Sequence, residues 1–153
     1  MRICYLANTA VPSTTASAIQ IIKMCESFSK LEHEVLLITS NASDKKVFDF
    51  YSVKSKFQIK KLKKYNKFPL GLKYYLFSFS SIIESLNFKP DIYITRNFFT
   101  SFLLSIFRKK NILELHHGIE VESRIVRFIV KNLNFFNHKC LLKLVAITNG
   151  VKQ

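Results

Sequence analysis

The order strand, helix, strand in the first forty residues constrains this chain more than any other feature. Arg2-Ile3-Cys4-Tyr5-Leu6-Ala7-Asn8 is a buried-strand run, and Val35-Leu36-Leu37-Ile38-Thr39 is a second. Between them Ala18, Ile21, Ile22, Cys25 and Phe28 recur at the three-and-four spacing of one helical face, while Gln20, Lys23, Glu26 and Lys30 take the wet face. That succession is a βαβ unit, which builds parallel sheet and puts its binding site at the strand ends.

The alternation continues along the chain. Apolar runs and turn residues predict strands near 2–7, 34–39, 57–61, 91–95, 111–116 and 143–148, and helices near 16–30, 72–87, 97–109 and 120–138. The segments 41–46 and 60–70 read as connections. The apolar runs are too continuous for a sheet with one wet face, so helices should cover both faces. Right-handed crossovers then favour a doubly wound sheet of order 3-2-1-4-5-6. The 153 residues suit one α/β domain of three layers with a mainly parallel sheet.

Several chemistries are disfavoured. Gly71, Gly118 and Gly150 are the only glycines, so neither a Gly-x-Gly-x-x-Gly fingerprint nor a P-loop is present. Cys4, Cys25 and Cys140 are odd in number, lie in apolar contexts and show no Cys-x-x-Cys spacing. A disulfide framework or a metal site is therefore not expected, and a reducing cytoplasm fits. The apolar run before Asn8 is too brief for a signal peptide. The longest apolar stretch, Phe98 to Phe107, is interrupted by Thr100, Ser101 and Ser105, and falls short of the about 20 residues a membrane span needs. A soluble or peripheral protein is the expectation.

Candidate binding residues gather where the strands end. Thr14, Thr15 and Ser17 stand at the start of the first helix, where a hydroxyl can cap free backbone donors or a phosphate can take the same place. Arg96 follows Tyr93-Ile94-Thr95 and is suited to pin a phosphate or carboxylate with two parallel hydrogen bonds; pairing with Asp91, or simple solvation, is the other reading. In Glu114-Leu115-His116-His117-Gly118, alternation puts Glu114 and His116 on one side, Leu115 and His117 on the other. Gly118 lets the backbone turn sharply and approach a ligand.

Lys and Arg number 24 against 10 Asp and Glu, a net charge of +14. Distribution says more than the total. No acidic residue lies between Asp49 and Glu84, where Lys60, Lys61, Lys63, Lys64 and Lys67 precede Tyr74 and Tyr75. Cations beside aromatic rings suit an anionic membrane surface, each lysine contributing about 1 kcal/mol. A solvated basic loop is the plainer alternative, and no motif supports nucleic acid. The helix near 120–138 sets Val121, Ile125, Phe128, Ile129, Leu133 and Phe136 on its packed side. Its stripe of Arg124, Arg127 and Lys131 reads as solvated surface, with anionic lipid as the alternative.

The turn Asn8-Thr9-Ala10-Val11-Pro12-Ser13, the joint Leu31-Glu32-His33-Glu34-Val35, and the stretches Pro90 to Arg96, Ile112 to His116 and Leu144 to Asn149 occur in one order over nearly the whole chain. Together they resemble the N-terminal, acceptor-side domain of a family 4 glycosyltransferase of the GT-B type. In that family the joint commonly reads Leu-Gly-His-Glu-Val; Glu32 here replaces the glycine. The resemblance implies a Rossmann-like domain over residues 1–153 and retaining, metal-independent transfer of a sugar to a glycan or lipid-linked acceptor. It implies no cofactor beyond a nucleotide sugar as co-substrate, held mainly by a second domain whose basic residues and paired glutamates have no counterpart in this sequence. A donor-binding domain on a separate chain would then complete the enzyme. A non-catalytic glycan- or lipid-binding module, an inactive remnant, or a basic nucleotide- or nucleic-acid-binding domain are the alternatives. The match assigns His116 to a position facing the cleft near the donor sugar. Around it, Asn8, Thr9, Ser13, Thr14, Ser17, Arg96, Glu114, His117 and Gly118 would hold an acceptor or phosphate. The expected location is cytoplasmic, peripheral on the inner face of the membrane.

Overall fold

The structure, a computed structural model, describes residues 1–42, 47–62, 69–116, 121–133 and 135–146. Strand β1 (Arg2–Val11) lies at the centre of the sheet, pairing in parallel with β2 (Glu34–Ala42) on one side and β4 (Ile92–Thr95) on the other. A strand covered on both faces must be apolar in every position, and Ile3 to Ala7 are all buried. With β3 (Gln58–Lys61), β5 (Asn111–Leu115) and β6 (Leu141–Ala146), the sheet runs β3-β2-β1-β4-β5-β6, all parallel. This is the doubly wound, Rossmann-like α/β arrangement expected.

Two winding directions set the layers. Helix α1 (Ala16–Lys30) and the short α2 (Val47–Phe50) share one core with Ile3, Tyr5, Val35, Leu37 and Ile94. On the opposite face, α3 (Leu70–Ser85) and α4 (Phe98–Ile106) pack over Cys4, Leu6, Leu36, Ile38 and Tyr93. Helix α5 (Arg124–Asn132) continues that layer over Leu113, Leu115 and Leu141. Small hydroxylated residues let α3 and α4 approach closely: Thr100 Oγ1 donates to Ser78 Oγ at 2.9 Å. Buried Asn111 ties α4 to the sheet edge through Ser105 Oγ and the Cys140 carbonyl, both at 3.1 Å.

Local chemistry explains the helix ends. Thr15 caps α1, its hydroxyl accepting from Ala18 N. At the other end His33 N donates to Phe28 O and Glu32 N to Ser29 O, the paired bonds of a Schellman turn. That turn holds Glu32 at φ 61°, the left-handed region that favours glycine. The glycine of the resembled joint therefore has a structural reason, which Glu32 meets at a cost.

Four expectations are corrected. Strand β1 does not stop at residue 7; after a register shift Ala10 and Val11 pair with Asn41 and Ala42. The polar Asn8-Thr9 reads as a loop because these two residues sit in that irregularity. Glu26 is buried, not wet, because Lys23 and Lys30 close over its carboxylate and Lys54 N donates to it at 2.9 Å. Residues 47–50 form a helix where none was expected, seating Val47 in the core. The last helix is shorter than 120–138, and only Val126 and Ile129 are buried on it. Val121, Ile125, Phe128 and Leu133 face solvent, since Phe135, from the following 3-10 turn, fills the core beside Val126 and Ile129 instead.

Candidate functional site

Between β1 and β4 the winding reverses, and in such sheets the carboxyl ends of the strands open a crevice. A hollow of about 340 Å³ lies there. Leu6 to Thr9 of β1, Ser17 of α1 and Tyr74 of α3 form part of its wall; Arg96, Asn97, His116 and Glu122 complete it.

Arg96 is fixed before any ligand arrives. Its Nε donates to Glu114 Oε2 at 2.9 Å and to the Tyr5 hydroxyl at 3.0 Å, and its Nη1 donates to Ser17 Oγ at 3.1 Å and Ser17 O at 3.3 Å. Tyr5 in turn donates to Glu114 Oε2 at 2.7 Å. Burial first, and then the Glu114 carboxylate, push the Tyr5 phenol well above its ordinary range, so it stays a donor. The side chain of Glu114 is 4% exposed and that of Arg96 11%. Such a buried pair is stable only with its remaining hydrogen bonds satisfied, which Tyr5 and Ser17 largely do. Glu114 thus sits behind Arg96 as a positioning residue and not in the hollow.

Three buried polar atoms of this wall have no hydrogen-bond partner among the described residues: Arg96 Nη2, Asn97 Nδ2 and Tyr74 Oη. Asn97 is 5% exposed and caps α4, its Oδ1 accepting from Thr100 N at 2.9 Å. That bond fixes the amide orientation, so the end left over is the N–H donor. Burial pushes the Tyr74 phenol up; the Phe99 N–H lies near its oxygen but outside hydrogen-bonding geometry. Buried polar groups in native proteins are normally paired, and three exceptions around one hollow point to what the hollow receives.

The charge balance narrows that ligand. Glu114 already neutralises Arg96, and Glu122 places a carboxylate in the same wall. A phosphate dianion would meet a cancelled cation and an anion. A hydroxyl both donates and accepts, and so suits a lining where Arg96 and Asn97 donate while Glu122 and the Thr9 hydroxyl accept.

Of the residues expected here, Asn8, Thr9, Ser17, Arg96 and His116 line the hollow. His116 Nε2 lies 3.9 Å from Glu114 Oε2, on the side that strand alternation assigns it. Ser13 turns away, its N–H and carbonyl both bonded to the Tyr51 hydroxyl at 2.6 Å, and Thr14 is exposed outside the hollow. The Thr15 cap takes a donor that a phosphate at α1 would use. His117, Gly118, Lys63, Lys64 and Lys67 lie outside the described residues. Lys60 pairs with Glu84, and Lys61 is exposed on edge strand β3. Tyr74 and Tyr75 belong to the cleft rim: Tyr75 packs edge-on against Phe99 and hydrogen-bonds Ser123 at 3.1 Å. Asn97 and Glu122 were missed. The signal for Asn97 was its cap position three residues ahead of Thr100, before an apolar run.

No protein-family model, no curated protein and no solved structure matches this chain. The fold and the site define a doubly wound α/β domain with a polar crevice at its winding reversal, and no described helix is long and apolar enough to cross a membrane. Among the described residues no cluster of His, Cys, Asp and Glu is arranged to hold a metal ion, and burial keeps the Cys4 and Cys25 thiols protonated.

Proposed function

We propose that this chain is the acceptor-side half of a retaining, metal-independent glycosyltransferase that uses a nucleotide-activated sugar. Its crevice receives a hydroxyl-bearing glycan or the sugar end of a lipid-linked acceptor, and a second, donor-binding domain supplies the activated sugar. The observation that carries the reading is the pair of unpartnered buried donors, Arg96 Nη2 and Asn97 Nδ2, on two residues that line the hollow together with Glu122 and Thr9. The order of sequence motifs supports it independently, and the retaining and metal-independent character comes from that resemblance alone. In this reading Arg96 and Asn97 orient acceptor oxygens, and Glu114 with Tyr5 keeps Arg96 in place. His116 shapes the pocket on the side where the donor sugar would enter, with no general-base role assigned.

The test is a titration of the 153-residue protein with short glycans, lipid-diphosphate-linked sugars and nucleotide sugars, followed through the Asn97 amide and Arg96 guanidinium resonances. Acceptors are expected to shift both signals and nucleotide sugars to bind weakly, with no transfer until a donor-binding domain is added. Turnover by these residues unaided, or nucleotide sugar bound in preference to every acceptor, overturns the proposal.

A further inference from the structure

We infer that the outward face of α5 docks on an anionic lipid bilayer. Val121 is 74% exposed, Ile125 54%, Phe128 62% and Leu133 53%, a density of large apolar side chains at solvent that a short surface helix does not ordinarily carry. Ile125 and Phe128 stand three apart on α5 and form one ridge, with exposed Val121 just ahead of the helix and Leu133 at its end. Beside that ridge stand Arg124, Arg127 and Lys131, all exposed and none ion-paired among the described residues. Val126 and Ile129 anchor the adjoining face of α5 to the sheet, and the ridge beside it stays exposed to meet something else.

Charge selects the occupant. A second copy meeting this face about a two-fold axis would bring three unpaired cations against the same three, in a protein already at +14. A nucleic acid would satisfy the cations and leave Phe128 and Ile125 in water. A bilayer with anionic headgroups satisfies both halves: the apolar ridge enters the headgroup boundary while the cations remain at the charged surface. Glu122 and Ser123, immediately ahead of α5, border the crevice and its rim, so docking would set the crevice mouth at headgroup height. The inference does not depend on which ligand the crevice takes.

Sedimentation with phosphatidylcholine vesicles, with and without phosphatidylglycerol, tests it. Binding is expected only with phosphatidylglycerol, weakening as salt rises. The combined change Arg124→Gln, Arg127→Gln and Lys131→Gln should lower the partition coefficient about 100-fold. Ile125→Ser with Phe128→Ser should lower it about 10- to 100-fold with the fold intact, since both residues are exposed. The chain has no tryptophan, so Phe128→Trp gives a single reporter whose emission should shift to the blue only on phosphatidylglycerol vesicles. Equal binding to neutral vesicles overturns the inference, as does full binding by the triple glutamine variant. So does unshifted emission from the vesicle-bound Phe128→Trp variant, which would point to the lysines near residue 60. Self-association lost in the double serine variant, without vesicle binding, would reassign the face to a second copy.

Discussion

Glu114→Gln keeps the shape of the side chain and removes the charge that holds Arg96 in the crevice wall. In the wild-type chain Glu114 Oε2 accepts from Tyr5 at 2.7 Å and from Arg96 Nε at 2.9 Å, with both partners almost wholly screened from water. Glutamine can still accept both bonds through its carbonyl oxygen, since both go to one oxygen of Glu114, but it leaves a buried guanidinium without a counter-charge. The loss of a charge-assisted bond is about 1.5–3 kcal/mol, and full truncation in Glu114→Ala about 3–5 kcal/mol. Against a total of about 5–15 kcal/mol for a domain of ordinary stability, either is readily measured. Removing both charges, Arg96→Met with Glu114→Gln, should cost about 2 kcal/mol less than the two single changes added together, because neither group is then left alone. Urea unfolding followed by far-ultraviolet circular dichroism gives the four free energies, with an unchanged slope confirming that the same surface unfolds. If the two changes add within about 0.5 kcal/mol, the pair is not coupled and the account of Glu114 as the residue that positions Arg96 fails.

Glu32→Gly should stabilise the domain by about 0.5–1 kcal/mol, since it relieves a left-handed L-residue at φ 61° and loses only an exposed side chain. A rise in the thermal midpoint of about 1–4 °C would register it, and a fall would show that the turn does not strain Glu32. Glu26 is held at about 2, below the ordinary value of 4.5, first by the Lys54 N–H and then by Lys23. A depressed carboxyl stabilises the fold above its unfolded value and loses that contribution as pH falls through the folded one. Wild type should therefore exceed Glu26→Gln by about 1–2 kcal/mol at neutral pH, allowing for the solvent that reaches both lysines, with the gap closing between pH 4.5 and 2. A gap that stays constant across that range would remove the ionic explanation.

Much of the fold was legible because period and continuity survive without tertiary knowledge. Ala18, Ile21, Ile22 and Cys25 are buried as their spacing predicted, and the runs at Arg2 and Val35 pair in parallel register from Arg2 with Glu34 onward. What escaped was decided by neighbours distant in sequence. Glu26 looks like a surface residue of α1 until Lys54, from the far side of α2, donates to it. The ridge on α5 looks like a packed face because apolar spacing cannot say which apolar residues the sheet will take. Phe135 occupies that space, and Ile125 and Phe128 are left outside.

The site divides the same way. Arg96 and His116 were readable as strand-end residues because the strand order alone fixes where a doubly wound sheet opens. Glu114 was readable as belonging there but not in its role, since its partner Tyr5 lies 109 residues away and looks like any core aromatic. Its role also changes what the crevice prefers. An arginine standing alone at a strand end invites phosphate, whereas one whose charge Glu114 has already balanced offers a spare N–H with little net attraction for a dianion. Ligand preference in this crevice is therefore set one layer behind its surface. A variant that frees Arg96 from Glu114 without unfolding the domain should shift binding from neutral glycans towards inorganic phosphate, and calorimetric titration of Glu114→Gln with both would detect the exchange.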